Sequence, residues 1–280
     1  MGQKYGNQIH YPSTFMGSIC LLFFQDLHLK PMTLLKNIFR LFWRTWFYGW
    51  VFFTILFALP LLVVVISSKK YYPLFFKIAV AWGKTILFVM GFTPVISGNV
   101  HLDRTKSYMY IANHASLIDV MLVLAIVKNP AVFVGKKELE KLPFFGYVFR
   151  KTSILVDRSS PESRKQVYAS VQEKINQGLS IVIFPEGLVP PEHVTLAEFK
   201  NGAFNMAIEH QIPIVPMTFY DVKKRFSWTF FSGWPGKLRV EIHPCIETDG
   251  VTLDQMEAIK ARAFTTIQNA LLSDIENQKK

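Results

Sequence analysis

The residues best suited to chemistry are His114 and Asp119, in the run Asn113-His114-Ala115-Ser116-Leu117-Ile118-Asp119. A short β-like segment, Tyr108–Ala112, leads into this run, and an apolar helical one, Asp119–Val127, leads out of it. An imidazole and a carboxylate therefore sit where a strand hands over to a helix, a frequent place for chemistry in open α/β sheets. On one continuous helix, residues five apart point about 140° away from each other. The two side chains can meet only if His114 lies in the turn and Asp119 one turn inside the helix. Paired in that way, the carboxylate fixes one imidazole tautomer and stabilises its charged form. The other ring nitrogen is then free to take a proton from a hydroxyl. Taken alone, the same two residues also fit a helix cap and a partner for the helix dipole.

Three further stations carry groups suited to a site. Val156-Asp157-Arg158-Ser159-Ser160 joins a strand to a helix, and Arg158 there can clamp a phosphate or carboxylate with help from backbone N–H groups at the helix start. A surface ion pair with Asp157 or Glu162 is the plainer use of that arginine. Ile181-Val182-Ile183-Phe184-Pro185-Glu186-Gly187 is an apolar strand that ends in a carboxylate, with a glycine that permits close backbone approach. Glu186 can orient a hydroxyl or order the site's hydrogen bonds, or simply satisfy turn donors. Lys200, at the start of a helix, is a possible anion contact or a solvated lysine. The prolines of Ile212-Pro213-Ile214-Val215-Pro216 fit the shaping of a pocket wall at a strand start. His101, His193, His210 and His243 have no partners at metal-ligand spacing, so no metal is assigned.

The elements that must position these groups alternate. Strand-like runs at Tyr108–Ala112, Ala131–Val134, Ile154–Val156, Ile181–Phe184, Ile214–Phe219 and Leu238–Ile242 are interleaved with helical ones. The helical runs are Asp119–Val127, Pro161–Gln177, Ala197–His210 and Leu253–Asn277. Ser160-Pro161-Glu162 opens the second helix and Gly178 closes it. This pattern predicts an α/β domain: a mostly parallel, mixed sheet flanked by helices. Two cysteines far apart, Cys20 and Cys245, provide neither a disulfide framework nor a ligand spacing and fit a reducing compartment.

The first third of the chain is of another kind. Of the net charge of +11, +9 lies at or before Lys106, among aromatic and aliphatic residues, which suits an anionic membrane surface better than nucleic acid. Residues 1–31 read as an N-terminal extension, 32–93 as a membrane-embedded helical arm and 94–280 as the α/β domain. Lys36, Arg40 and Arg44 share a helix face. Phe47–Ile66 is free of charge and long enough to cross a bilayer core, with Pro60 a possible kink. Trp43, Trp46 and Trp50 at one end and Lys69, Lys70, Tyr71 and Tyr72 at the other resemble interfacial anchors. A second apolar stretch, 74–92, carries Lys77 and Lys84 on one stripe, which fits a helix lying in the interface. One true span, a helix pair dipping into one leaflet and a buried hairpin all remain open.

Together these stations resemble the lysophospholipid acyltransferase family typified by 1-acylglycerol-3-phosphate acyltransferase. Its N-H-x-x-x-x-D motif is matched by Asn113, His114 and Asp119. Its strand ending in D-R is similar to Ile154–Arg158, its F-P-E-G is matched by Phe184, Pro185, Glu186 and Gly187, and its proline-punctuated motif is similar to Ile212–Pro216. Gly135-Lys136-Lys137-Glu138-Leu139 and Leu142-Pro143-Phe144-Phe145-Gly146 also look familial. The chain departs from the family after Gly187, where Leu188-Val189-Pro190-Pro191 stands in place of Thr-Arg.

The resemblance implies transfer of an acyl group from acyl-CoA or acyl carrier protein, as co-substrate, to the free hydroxyl of a lysophospholipid. The implied acceptor is 1-acylglycerol-3-phosphate and the product phosphatidic acid. His114 would be the general base and Asp119 its orienting partner, with Asn113, Lys136, Arg158, Glu186, Gly187 and Lys200 on the substrate side. Neither metal nor cofactor is implied, and no acyl-enzyme on Ser116. Backbone N–H groups of the Asn113 turn are the expected oxyanion hole. The expected setting is the inner, cytoplasmic membrane with the catalytic domain facing the cytoplasm; the partners are the bilayer and the two substrates, not nucleic acid. The missing arginine leaves room for a phosphate-free acceptor, an N-acyl ornithine or glycine lipid. A hydrolase on the same fold and a non-catalytic membrane-binding module are the rival classes.

Overall fold

The computed structural model describes residues 31–98, 100–143, 145–157 and 160–278. The extension expected over residues 1–31 therefore lies almost wholly outside the described residues. The described chain opens with helix α1 (Pro31–Ile66), a 3-10 turn (Lys69–Tyr71) and helix α2 (Tyr72–Val89). It continues through β1 (Phe92–Ser97), β2 (Met109–Ala112), α3 (Ile118–Ile126), β3 (Ala131–Lys136), α4 (Phe145–Thr152), β4 (Ile154–Val156) and α5 (Pro161–Asn176). It ends with β5 (Ser180–Ile183), α6 (Gly202–Glu209), β6 (Ile214–Phe219), α7 (Val222–Arg225), β7 (Gly236–Ile242) and α8 (Met256–Asn277).

The strands form one sheet in the order β1-β7-β6-β2-β5-β3-β4. β6 and β7 pair antiparallel and every other neighbouring pair is parallel. This is the mixed α/β sheet that the alternation of elements predicts. β2, β5 and β6 are central, and β2 and β6 are buried along their whole length, which is why they are written as apolar runs rather than alternating ones. β1 is missed by the sequence reading because Phe92 and Thr93 look like the tail of an apolar helix. It begins two residues before the expected domain boundary and pairs in register with β7. The helix expected over Ala197–His210 forms only as Gly202–Glu209. The backbone before it is committed elsewhere: Ala197 N donates to Glu186 and Lys200 N to Pro185 O.

α1 and α2 make an antiparallel hairpin that packs along the α/β domain and shares its core. Trp43, Phe47, Tyr72, Phe76, Ile86, Leu87 and Met90 belong to the same hydrophobic cluster as the central strands. At one end, Trp43 Nε1 donates to Met90 O at 3.2 Å and its ring meets Phe92 and Phe226. At the other, Tyr72 OH donates to Ala131 O at 3.0 Å and Thr152 O at 3.2 Å, and Lys69 pairs with Glu173 of α5. Gly83 lets α2 close on α3, since a Cβ there would stand 3.1 Å from Leu124 Cβ. Both ends of the hairpin thus rest on the domain.

α1 is 36 residues long and continues through Pro60. Both α1 and α2 are long and apolar enough to cross a membrane. The outer face of α1, however, carries an apolar stripe in two runs: Leu35, Ile38, Phe42 and Trp46, then Phe53, Phe57, Leu61 and Val64 are all exposed, Phe57 to 80%. Its inner stripe of Trp43, Phe47, Ile55, Leu62 and Val65 is buried. Steps of three or four residues, or two such steps together, make each stripe a helix face. Lys77 and Lys84 of α2 lie on its exposed side.

Candidate active site

β2 ends at Ala112, and the next residue joins it to β6. Asn113 Nδ2 donates to Phe219 O at 3.0 Å, and Phe219 N donates to Asn113 Oδ1 at 2.8 Å. The side-chain amide thereby extends the β2–β6 ladder by one backbone-like pair. Asn113 is 6% exposed, so the structure gives it a place in the scaffold where the sequence reading expected a substrate contact.

His114 and Asp119 meet as the turn argument requires. His114 lies in the irregular turn and Asp119 is the second residue of α3. His114 Nδ1 and Asp119 Oδ2 are 2.7 Å apart. The same oxygen accepts from Ala115 N at 2.6 Å and Ser116 N at 2.8 Å. The loop is wound around a fully buried carboxylate, and Nε2 is the ring nitrogen left for other work. The imidazole lies flat on Phe184, with ring centroids 4.3 Å apart and planes 12° apart. One bond to Nδ1 and one stacked face fix both the tilt and the rotation of the ring.

Glu186 holds the turn from the β5 side. Its two oxygens accept from His114 N at 2.6 Å and Ala197 N at 2.7 Å. Burial raises its pKa above the ordinary value, against the pull of those two N–H groups and of His114. It is a bracket between two loops, a different job from orienting a substrate hydroxyl. Gly187 closes the turn, its N–H donating to Phe184 O at 3.0 Å. Its φ of +80° is a conformation that favours glycine.

The expected oxyanion hole is not where the sequence reading put it. The N–H groups of His114, Ala115 and Ser116 are all spent, on Glu186 and on Asp119. Ser116 is buried and its Oγ accepts from Ile118 N, which suits a loop brace and not a nucleophile.

The remaining expected residues spread along the same sheet edge. Extending the pairing of β2 with β5 and of β5 with β3 sets Asn113 level with Pro185 and Lys136. Lys136 therefore stands two strands out, about 10 Å to the side. It is exposed, as is Lys200. β4 ends at the level of Lys136; Arg158, two residues further on, lies outside the described residues.

Two residues that sequence reasoning did not assign belong to the site's frame. Phe184 carries the imidazole stack, and the clue was its register opposite the β2 exit. Lys223 follows the end of β6 by four residues. Its Nζ donates to Pro191 O and Val194 O, tying down the segment after Gly187. Burial lowers its pKa while Glu186 and Glu192 oppose that shift.

Beside the site, an apolar cavity of about 120 Å³ opens between the hairpin and the domain. Leu62, Phe76, Trp82, Val120, Leu124 and Phe133 are among its walls, and Val120 adjoins Asp119.

The chain's likenesses agree with this geometry. The Acyltransferase family model matches residues 94–220. The 1-acyl-sn-glycerol-3-phosphate acyltransferase alpha of Mus musculus is 26% identical over 229 residues, 79% of this chain and 77% of that protein. The 1-acyl-sn-glycerol-3-phosphate acyltransferase of Escherichia coli is 30% identical over 168 residues, 58% of this chain and 66% of that protein. In fold, the chain is similar to the crystal structure of the 1-acyl-sn-glycerophosphate (LPA) acyltransferase PlsC from Thermotoga maritima. The TM-score is 0.70 at 19% identity, over 86% of this chain and 97% of that one. With its motif residues gathered at the C-terminal ends of β2 and β5, the chain belongs to the acyltransferase family typified by 1-acylglycerol-3-phosphate acyltransferase.

Proposed function

We propose that the protein moves a fatty acyl group from a thioester, acyl-CoA or acyl carrier protein, to the free hydroxyl of 1-acylglycerol-3-phosphate, forming phosphatidic acid. The observation that carries this reading is the His114–Asp119 contact of 2.7 Å, with Nδ1 occupied and the ring stacked. His114 Nε2 removes the proton of the acceptor hydroxyl as its oxygen attacks the thioester carbonyl carbon. Asp119 stabilises the imidazolium that forms. The tetrahedral intermediate collapses, the carbon–sulfur bond breaks, and the thiolate takes the proton back from His114. The relatives' names support lysophosphatidate as the acceptor. Lys136 and Lys200, with Arg158, are the cations proposed to meet its phosphate.

The exposed stripe on α1 and the two points of contact at the hairpin's ends support a helix pair lying in one leaflet, with the domain beneath it. The apolar cavity between hairpin and domain then receives an acyl chain without passage through water, which would cost about 0.8 kcal/mol per exposed CH₂. The basic excess of the N-terminal third and a cytoplasmic thioester donor support a domain facing the cytoplasm.

The test is His114→Ala in lipid nanodiscs, with release of thiol and formation of phosphatidic acid both followed. A loss of about 10²–10⁴ in kcat with an intact fold is expected; activity near that of the unsubstituted protein rules out the base. A panel of lysophosphatidate, lysophosphatidylcholine and N-acyl amino acids, each with either donor, identifies both substrates. Arg158→Ala should weaken only the phosphate-bearing acceptors.

A further inference from the structure

The segment between α7 and β7 contains an eight-residue aromatic loop, Ser227-Trp228-Thr229-Phe230-Phe231-Ser232-Gly233-Trp234. Neither the proton transfer nor the hairpin's own fold uses its outer residues. Trp228 is 57% exposed and Trp234 46%, a large apolar area to leave in water. The loop is nevertheless firmly built. Ser232 Oγ donates to Thr229 O at 2.6 Å and lies 2.6 Å from Ser227 Oγ, and Trp234 N donates to Arg225 O at 3.1 Å. Gly233, at φ +86°, passes so close to Arg225 that a Cβ would stand 2.1 Å from its carbonyl oxygen. The tryptophans are held outward by a braced turn.

The loop is seated on one level of α1. Arg44 of α1, itself buried, donates to Ser232 O at 3.2 Å and lies over the rings of Phe226 at 4.5 Å and Phe230 at 5.7 Å. Trp234 meets Phe39 with centroids 4.5 Å apart. Phe39 adjoins Ile38 and Phe42 of the exposed stripe, and Trp46 follows one turn on. The loop's outer rings therefore continue the apolar face of α1 sideways. Lys36 on α1 and, close to the loop in sequence, Lys224 and Lys237 are exposed. Aromatic rings with one apolar and one polar edge, on a segment flanked in sequence by exposed lysines, suit the headgroup level of an anionic bilayer.

We propose that the Ser227–Trp234 loop is a second membrane anchor, inserting Trp228 and Trp234 into the headgroup region of an anionic bilayer beside α1. A second copy of the chain or another protein fits less well, because the patch continues the lipid-facing stripe without a break. The anchor also reaches the site. The hydroxyls of Ser227 and Thr229 hold the Glu192 carboxylate below its ordinary value, and Lys223, just before the loop, grips the same segment at Pro191 and Val194. That segment runs on from Glu186 and Gly187. The bilayer surface is thus tied to the loop that follows the catalytic turn. The inference rests on the membrane reading of α1.

The test uses the full chain with Cys20 and Cys245 replaced by serine and single cysteines labelled with an environment-sensitive fluorophore. The labelled variants are Trp228→Cys on the loop, Phe57→Cys on the α1 stripe and Thr105→Cys at the opposite edge of the sheet. Each is placed in phosphatidylglycerol-containing nanodiscs with nitroxide-bearing lipids. The Trp228→Cys label should be quenched by the lipid nitroxide as strongly as the Phe57→Cys label, while the Thr105→Cys label is quenched only by aqueous iodide. Quenching of Phe57→Cys without Trp228→Cys overturns the loop anchor and leaves the hairpin reading standing. Quenching of neither overturns both. Shielding of Trp228→Cys from iodide without lipid quenching means a protein contact and overturns the proposal. Independently, Trp228→Ser should weaken binding to anionic vesicles roughly tenfold and leave turnover in detergent micelles unchanged. Unaltered vesicle binding overturns it.

Discussion

Replacing Asp119 by asparagine separates the charge of that residue from its hydrogen bonds. Oδ2 accepts three donors, from His114, Ala115 and Ser116. Oδ1 is buried and accepts none from a described residue. In Asp119→Asn the carboxamide oxygen therefore takes the Oδ2 position, because the reverse orientation would set an NH₂ against three N–H groups. The tautomer and the loop survive. What is lost is the negative charge beside the imidazolium of the transition state. Unit charges about 4 Å apart attract by about 4 kcal/mol at an effective dielectric of 20, roughly a thousandfold in rate when the attraction is realised only in the transition state. The buried NH₂ at the Oδ1 position adds about 1–3 kcal/mol of instability. The assay is thiol release from the donor with lysophosphatidate in nanodiscs, alongside thermal unfolding. A fall of roughly a thousandfold in kcat with KM unchanged is expected. A folded Asp119→Asn protein within about tenfold of the parent kcat would refute an electrostatic role for Asp119 and reduce it to a loop brace. Asp119→Ala is less informative, since it also strands two buried N–H groups.

Phe184→Leu removes the stack but keeps the apolar contact; with about 1 kcal/mol for the ring pair, kcat should fall several-fold at constant KM, and an unchanged kcat would show that Nδ1 alone fixes the ring. Asn113→Ala leaves the N–H and C=O of Phe219 without the side-chain partners it has now. At about 1–3 kcal/mol for each buried group, chemical denaturation should show a loss of at least about 2 kcal/mol, whereas unchanged stability with a raised KM would restore the substrate contact expected from sequence. Glu186 has a raised pKa in the fold, so the folded state holds its proton more tightly than the unfolded chain. Its contribution is therefore most favourable at low pH and declines as pH rises from the ordinary carboxylate value through the raised one. Glu186→Gln should abolish that share of the slope. Parallel melting curves for parent and variant between pH 4 and pH 8 would contradict the assignment.

The central sheet and the His114–Asp119 contact were legible in the sequence for a physical reason. Fully buried parallel strands must be apolar throughout, and a five-residue spacing between imidazole and carboxylate admits contact only across a strand-to-helix turn. What was not legible are partnerships that cross the sheet. Asn113 reads as a substrate ligand until β6 lies beside β2, when its amide is seen to match the backbone of Phe219. Glu186 reads as orienting a hydroxyl, ordering the site's hydrogen bonds or satisfying turn donors, and the sequence does not show that its two oxygens take N–H groups from segments far apart in the chain. The N–H groups proposed for an oxyanion hole were free on paper because the sequence does not show Asp119 turning back to collect them. β1 escaped notice because an edge strand of six residues next to an apolar helix carries no period of its own.

The relation between hairpin and site follows from these partnerships. α3 carries Asp119 at its start and receives α2 against Gly83 on its flank, so the helix that orients the imidazole is also the one the hairpin presses on. β6 ends at the residue that Asn113 clamps, and four residues later Lys223 grips the loop beyond Glu186. From there the chain passes directly into the aromatic loop on α1. Under the proposed membrane placement, a lipid surface that shifts α1 would act on the His114 turn from two sides, through α3 and through the β6–β7 connection. In the proposed reaction, the donor thioester and acceptor hydroxyl would meet where those two paths converge, at the Nε2 face of His114.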